Sequence, residues 1–468
     1  MSLHPHYYPS SLPRSSVYRG TVNGLRLDVL AHPAADHTAF ECAEAVTVQL
    51  DVSGLTGEVV VRPLRLGIKV QRTGNRVTFA VPGPQNLQVD IDGMPLLYVY
   101  ALPVAGCPPT GPKVRFFEAG KIHDAGLIVL DENETCWIEA GAVVRGSIRA
   151  AGVSGVRIGG YGILDGGYWL EHEGRRRKAL VLDHCRDARV ETILMLSPCH
   201  WMLVLGACED VVVAGVRQIA NDMSSDGIDI AGSRRIRISG CCLHNGDDNI
   251  AIKAISNKSG EDERVPLGFP DEDWNGTVED VVVSGCSFYN LHGGSAMEIG
   301  YETSTEHIRD IRFEDIDVLA VHQFGAVFGI HNGDRAMVEN IVWDNIRVEH
   351  HFDTLIDIRV LHSRWNIDAK RGGVSNITMR NIKALQSVYN RGYTVSIICG
   401  IDAAHPVTGV KFENFELGGR QVRNADDLDL VTRHAHGILF SASEPAEVGR
   451  AVSSVITTGP VREVTTVR

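Results

Sequence analysis

A six-residue pattern, apolar-x-apolar-x-x-apolar, recurs nine times between residues 156 and 415, and it limits the possible folds of the chain more than any other feature. It reads VRIGGY (156–161), ARVETI (188–193), VVVAGV (211–216), IRISGC (236–241), VVVSGC (281–286), IRFEDI (311–316), IVWDNI (341–346), ITMRNI (377–382) and VKFENF (410–415). Successive starts lie 23 to 45 residues apart, the spacing of solenoids, propellers and arrays. Each repeat carries short β-branched strands and no convincing amphipathic helix, which excludes the helical solenoids. A propeller blade needs about 40 residues and four strands, which the 23- and 25-residue intervals cannot supply. A right-handed parallel β-helix fits, with coils stacked about 4.8 Å apart and small aliphatics and cysteines turned inward. The longer intervals are then loops projecting from the coils. The longest contains AISNKSGEDERVPLGFPDEDWNG (254–276), polar, charged and long enough to wall a cleft.

The first hundred residues follow a different rule. Short alternating runs, LRLDVL (25–30), AVTVQLDV (45–52), GEVVVRPL (57–64), RVTFAV (76–81), LQVDID (87–92) and LLYVYAL (96–102), are separated by turn residues. They predict an antiparallel β-sandwich. PVAGCPPTGP (103–112) concentrates proline and glycine and reads as a linker. The expected organisation is an all-β chain with a sandwich over 1–105 and a β-helix over 113–468, the less regular stretch beyond about 420 capping its open end.

Composition narrows the function classes. A 44% hydrophobic fraction excludes wholesale disorder, and no run approaches the ~20 apolar residues of a membrane span. The net charge of −13 argues against a nucleic-acid binder. Ten scattered cysteines form no CxxC pair and mostly occupy apolar runs, so they read as small buried hydrophobes and not as a zinc site or disulfide framework. The N-terminus lacks an apolar signal region, which favours a cytoplasmic location. Forty-eight glycines beside only 6% aromatics point to many tight turns.

Chemistry concentrates in three consecutive coils, SSDGIDIAG (224–232), NGDDNIAIK (245–253) and HGGSAMEIGYE (292–302). Aligning Ile228 and Ile230 with Ile250 and Ile252, and these with Met297 and Ile299, sets Asp226 beside Asp248, with Asp247 one residue earlier. Stacked coils bring such carboxylates within one or two strand spacings, roughly 5–10 Å. Like charges that close push at least one pKa upward, giving a protonated acid beside an ionised base. Glycoside hydrolysis needs that division of labour, and an inverting geometry would set acid and base about 6.5–9.5 Å apart. The same register lines up Lys253, Gly300, His331 and Arg359 in one column and Asp229, Ala251, Glu298, Gly329 and Asp357 in another. His292 and Tyr301 lie beside them. Asp229, Lys253, His292, Glu298, Tyr301, His331 and Arg359 are therefore candidate sugar-binding residues. The glycines of DGIDI and NGDD are expected to keep the strip open to a sugar.

These residues resemble glycoside hydrolase family 28, the polygalacturonases, in DGIDI, a DD about 20 residues on, and an HG-containing strand. The segments 62–93 and 116–166 resemble the sandwich-plus-β-helix layout of the related family 49 dextranases and isopullulanases. The resemblance implies a right-handed, pectin lyase-like β-helix and an inverting mechanism, with Asp247 as general acid and Asp226 and Asp248 holding and activating water. Asn-Thr-Asp of family 28 is here Ser224-Ser225-Asp226, and its Gly-Ser end is Gly300-Tyr301-Glu302. No Arg-x-Lys motif for galacturonate follows; FGIHNG occupies that region, moving the expectation toward a neutral or differently charged glycan. The sequence thus predicts an inverting glycosidase acting on an oligo- or polysaccharide, with no metal, cofactor, nucleic acid or membrane. Two alternatives stand beside it. One is a polysaccharide lyase holding Ca²⁺ with the three aspartates and using Lys253 as base; the other is a non-catalytic carbohydrate-binding solenoid. The sugar, its linkage and the oligomeric state are not written in the sequence.

Overall fold

The computed structural model describes residues 2–256, 273–290, 292–322, 325–387 and 395–442. They fall into two compact units, one ending at Cys107 and one covering Pro108–Ala442.

The first unit is a sandwich of two five-stranded sheets. One sheet runs Leu3–Pro5, Asp36–Cys42, Leu97–Leu102, Gln85–Ile91, Val59–Arg62; the other runs Leu25–Leu27, Tyr18–Val22, Val46–Val52, Arg76–Val81, Val70–Thr73. Val46, Val48, Leu50 and Val52 face inward in strict alternation, with Thr47, Gln49 and Asp51 outward, the signature of a sheet wet on one face. Asp36–Cys42 breaks that rule. It is buried along its whole length and pairs parallel with Leu97–Leu102 inside an otherwise antiparallel sandwich. Its sequence, DHTAFEC, carries no alternation, so sequence periodicity could not find it.

The second unit is a right-handed parallel β-helix whose strands form one continuous sheet of 31 members. In the six-residue repeat the first and third positions point into the core along the whole stack, as Ile236 and Ile238, Val281 and Val283, or Ile341 and Trp343 do. The sixth does so in eight of the nine repeats, Tyr161 of VRIGGY being the exception. The fifth position explains the pattern's spacing. It is left-handed in every repeat: Gly160 (φ 106°), Thr192 (63°), Gly215 (62°), Gly240 (63°), Gly285 (62°), Asp315 (54°), Asn345 (55°), Asn381 (54°) and Asn414 (53°). One left-handed residue turns the chain from one face of the coil to the next, which lets the sixth side chain point inward again. Glycine, asparagine and aspartate tolerate that conformation best. In later coils the same residues also bond coil to coil, Asn345 to Asp315 at 3.2 Å and Asn414 to Asn381 at 3.0 Å.

Two expectations change here. The 32-residue interval between the first two repeats contains a short α-helix, Gly167–Glu173, that sequence periodicity did not reveal. Beyond 420 the chain does not turn irregular at once: Leu430–Arg433, Ala435–His436 and Leu439–Ser441 add further parallel strands to the stack. Residues 443–468 lie outside the described residues, as do 257–272, most of the polar loop at 254–276. The described ends of that loop pair Ile255 with Trp274. Trp274 is buried against Val181, Val204 and Ala231, and its indole N–H donates to Asp183 at 2.9 Å. Of the ten cysteines, eight are buried, as small apolar side chains should be.

Candidate functional site

The site lies on the coil face built by Leu203–Gly206, Ile228–Ala231, Ile250–Ser256, Met297–Thr303, Phe328–Asn332 and Ile356–Val360. Register pairs Ile228 with Ile250 and Ile250 with Met297, as the sequence alignment requires. The turns entering these strands carry the acids. Asp226 lies two residues before Ile228 and Asp248 two before Ile250, so the two stack on adjacent coils. One ligating oxygen from each of Asp226, Asp247 and Asp248 lies within 4.8 Å of the others. Stacked coils bring Asp226 and Asp248 together because they hold equivalent side chains one strand spacing apart, and Asp247 joins them as the neighbour of Asp248.

Buried amides fix these turns from behind. Asn249 donates to Asn245 at 2.9 Å, Asn245 to Gln218 at 2.9 Å, and Gln218 to the Gly227 carbonyl at 2.9 Å. Asn290 donates to the Asp247 carbonyl at 2.7 Å. Gly227 packs against this network, since a Cβ there would meet the Asn249 carbonyl at 2.4 Å. Its role is internal packing, not the open strip expected of it. The glycine that clears space for the acids is Gly294, with φ +69° and a virtual Cβ 2.3 Å from Asp247 Oδ1. Sequence reading missed both devices; the asparagine repeated in LHNG and FYNLHG was the available signal for the first.

Within the cluster, Asp226 and Asp248 are 3% and 8% exposed, whereas Asp247 keeps part of its surface open. Burial and the neighbouring Asp226 charge push the Asp247 carboxyl up to about 7. Burial, Asp247 and Glu298 push Asp248 well above the usual carboxylate range. Lys253 counters them. Its Nζ lies 2.8 Å from Asp226 Oδ2 and 3.2 Å from Asp229 Oδ1, and 4.4 Å from the Trp201 ring centre. Burial alone would discharge Lys253, but Asp226 and Asp229 outweigh it and raise its pKa. Lys253 and Asp229 are therefore a buried ion pair inside the acid cluster, not solvated groups on an open strip. Lys178 also reaches Trp201, its Nζ 4.6 Å from the ring centre. Burial and the charges of Lys178, Arg176 and Lys253 press His200 down to about 3. Trp201, Lys178 and His200 escaped the sequence reading because they precede the acidic motifs.

The remaining candidates form a second group farther along the stack. Glu298, Gly329 and Asp357 share one register column, and Gly300, His331 and Arg359 share the other. Lys253 falls where the pairing of its strand with the next shifts register, so it leaves that column. His331 Nδ1 lies 2.7 Å from Glu298 Oε1, its Nε2 lies 3.2 Å from Asp357 Oδ2, and Tyr301 stacks on its ring at 4.4 Å. Burial works against the imidazolium, but Glu298 and Asp357 raise His331 to about 9. Arg359 donates to Asp357 at 2.6 Å. His292 stands apart in the bend before Met297, where its charge bears on His322.

A parallel β-helix that gathers three carboxylates on one outer face has the layout of the β-helical glycosidases. The chain belongs to Glycosyl hydrolases family 28, whose family model matches residues 121–433. Among solved structures, Dex49A from Penicillium minioluteum has the same fold, with a TM-score of 0.61 over 94% of this chain and 100% of that one at 13% identity. A hyperthermoactive exopolygalacturonase from Thermotoga maritima matches at a TM-score of 0.50 over 70% and 84% of the two chains, with 14% identity. Among curated proteins, a probable exopolygalacturonase C of Aspergillus terreus is 33% identical over 152 residues, 32% of this chain and 29% of that protein. A probable polygalacturonase of Arabidopsis thaliana is 26% identical over 193 residues, 39% and 42% of the two chains. The matched segments span less than half the length of either relative.

Proposed function

We propose that the chain hydrolyses a glycosidic bond of an oligo- or polysaccharide with inversion at the anomeric carbon. The observation that carries this reading is the acid cluster itself: three carboxylates within 4.8 Å, one of them partly open and raised to about 7. Asp247 is the general acid, protonating the leaving glycosidic oxygen. Asp226 takes the proton of the attacking water, and Asp248 orients that water. Asp226 Oδ2 already accepts from Lys253 and Asp248 Oδ1 from the Ser295 N–H at 2.5 Å. Carboxylates engaged in this way are better suited to hold water than to attack carbon.

A second reading has one observation in its favour. Carboxyl groups only about 5–5.5 Å apart accompany retention in most glycosidases, and the close approach of single oxygens within this cluster is the observation that favours it. Proton NMR of the first sugar released from a panel of oligosaccharides, including oligogalacturonides and isomaltooligosaccharides, separates the two. The inverted anomer is expected before mutarotation; the retained anomer would overturn the assignment of Asp226 and Asp248 to water. The lyase reading is weaker because the Lys253 ammonium already occupies Asp226 Oδ2, one of the three carboxylates a Ca²⁺ ion would need. Treatment with a chelator should leave turnover within about twofold and yield no unsaturated product; loss of activity together with near-ultraviolet absorbance would support the lyase.

A further inference from the structure

The sandwich unit has a cleft of its own, with a volume of about 540 Å³, within the usual range of small-ligand pockets. Its polar lining comes from the outer face of the sheet that contains Tyr18–Val22, Leu25–Leu27, Val46–Val52 and Arg76–Val81. Strand register arranges that lining in two rows. Arg26 stands opposite Thr21 and Thr21 opposite Gln49; Arg19 stands opposite Asp51 and Asp51 opposite Arg76. Arg19 and Thr21 lie two residues apart on one strand, so both rows project from the same face. Arg14 and Asp28 complete the charged lining.

Four guanidiniums thus meet two carboxylates, an excess of two positive charges in a chain whose net charge is −13. Both carboxylates are already engaged. Asp28 accepts from Arg26 at 2.6 Å through Oδ1, and from Arg14 at 2.9 Å and the Tyr8 N–H at 3.1 Å through Oδ2. Asp51 accepts both arms of the Arg76 fork, at 2.8 and 3.0 Å. Arg19 is exposed beside that pair and makes no hydrogen bond among the described residues. Arg26 uses one nitrogen only. Planar guanidiniums with open N–H groups match a carboxylate, which accepts and does not donate. The neighbouring groups suit the rest of a sugar. Thr21 and Gln49 side chains can each donate and accept. Next to Arg26 the Tyr7 ring is 52% exposed, and its hydroxyl donates to the Arg26 carbonyl at 3.2 Å. A half-exposed aromatic ring anchored in this way offers an apolar face to a sugar ring.

We propose that this face of the sandwich is a non-catalytic glycan site for a carboxylate-bearing sugar, with Arg19 and Arg26 holding the carboxylate and Tyr7 the ring. The site is independent of the acid cluster and of the reaction assigned to it. Its test is ligand-observed NMR titration of the full chain with galacturonic, glucuronic and mannuronic acids, each beside its uncharged methyl ester. In at least one pair the acid should bind about tenfold more tightly than the ester, the scale of a charge-assisted hydrogen bond, and added NaCl should weaken it. Arg19→Gln should weaken the acid at least fivefold and leave the ester unchanged. Tyr7→Ala should weaken both. Equal binding within every pair, no binding of any acid, or acid binding untouched by Arg19→Gln would overturn the proposal. So would displacement of the acid by an equal concentration of inorganic phosphate with no effect of Tyr7→Ala, the mark of a plain anion site. Arg19 is exposed and carries no hydrogen bond, so Arg19→Gln should melt with the wild type, and the wild-type ratio needs no variant. Single sugars contain no bond between sugars to be cut, so a failure of hydrolysis would count against the glycosidase reading alone.

Discussion

Asp247 combines a partly open surface, a neighbouring Asp226 charge and a carboxyl raised to about 7. In the proposed role of proton donor it must be protonated, so kcat/KM should fall as pH rises through about 7. Its stability effect has the same direction. Because the folded-state pKa is raised above the ordinary value of 3.8, the folded chain binds the proton more tightly, and stability is lost as pH rises between about 4 and about 7. Asp247→Asn removes that loss. The variant should melt above the wild type at pH 8, with no such advantage at pH 4, while its turnover falls by about 10²–10⁴-fold as expected for a general acid. Thermal melts at the two pH values check this; a variant less stable at pH 8 would contradict it. Gly294 makes a separate prediction. Its left-handed φ and the 2.3 Å approach of a virtual Cβ to Asp247 leave no room for a methyl group. Gly294→Ala should lower kcat at least tenfold in a folded protein, and unchanged kcat would show that the turn does not position the acid. The carboxylates were legible in sequence because DGIDI and NGDD align through their aliphatic flanks. Lys253's burial and Gly294's role were not, because both depend on distances between coils that no single coil encodes.

Elements in this fold are short, and the bend between them does much of the specification. The left-handed fifth position of the repeat is glycine in four of the first five coils, asparagine or aspartate in the last four, and β-branched once, at Thr192. A β-branched residue there costs about 1–2 kcal/mol. Asn345→Val should therefore destabilise the chain by about that amount in urea denaturation. Asn345→Gly should be nearly neutral apart from the bond to Asp315. Equal losses for the two variants would contradict the bend as the cause. The repeat itself was readable because apolar positions one, three and six fall inward on the two strands flanking this bend, with Tyr161 as the one departure. The helix Gly167–Glu173 was not, since seven residues carry too little periodicity. The buried strand Asp36–Cys42 was invisible for a related reason: both of its faces are covered, so alternation disappears.

On the scale of the whole molecule, the stack converts a local sequence repeat into a long strip on which successive coils present different chemistry. Lys178 and Trp201 come first, the acids next, and Glu298, His331 and Asp357 last. The fold class and the three acids were legible from the chain because each coil repeats a register. The character of the strip on either side was not, because it is set by which neighbour each charge meets. The central claim is that Asp247 delivers a proton to a departing glycosidic oxygen. It is tested most directly by comparing wild type and Asp247→Asn on the best oligosaccharide substrate and on a 2,4-dinitrophenyl glycoside of the same sugar, whose leaving group needs no proton. The account predicts a loss of at least 100-fold on the oligosaccharide, within the range of general-acid catalysis, and a loss under tenfold on the dinitrophenyl glycoside; equal losses on both would contradict it.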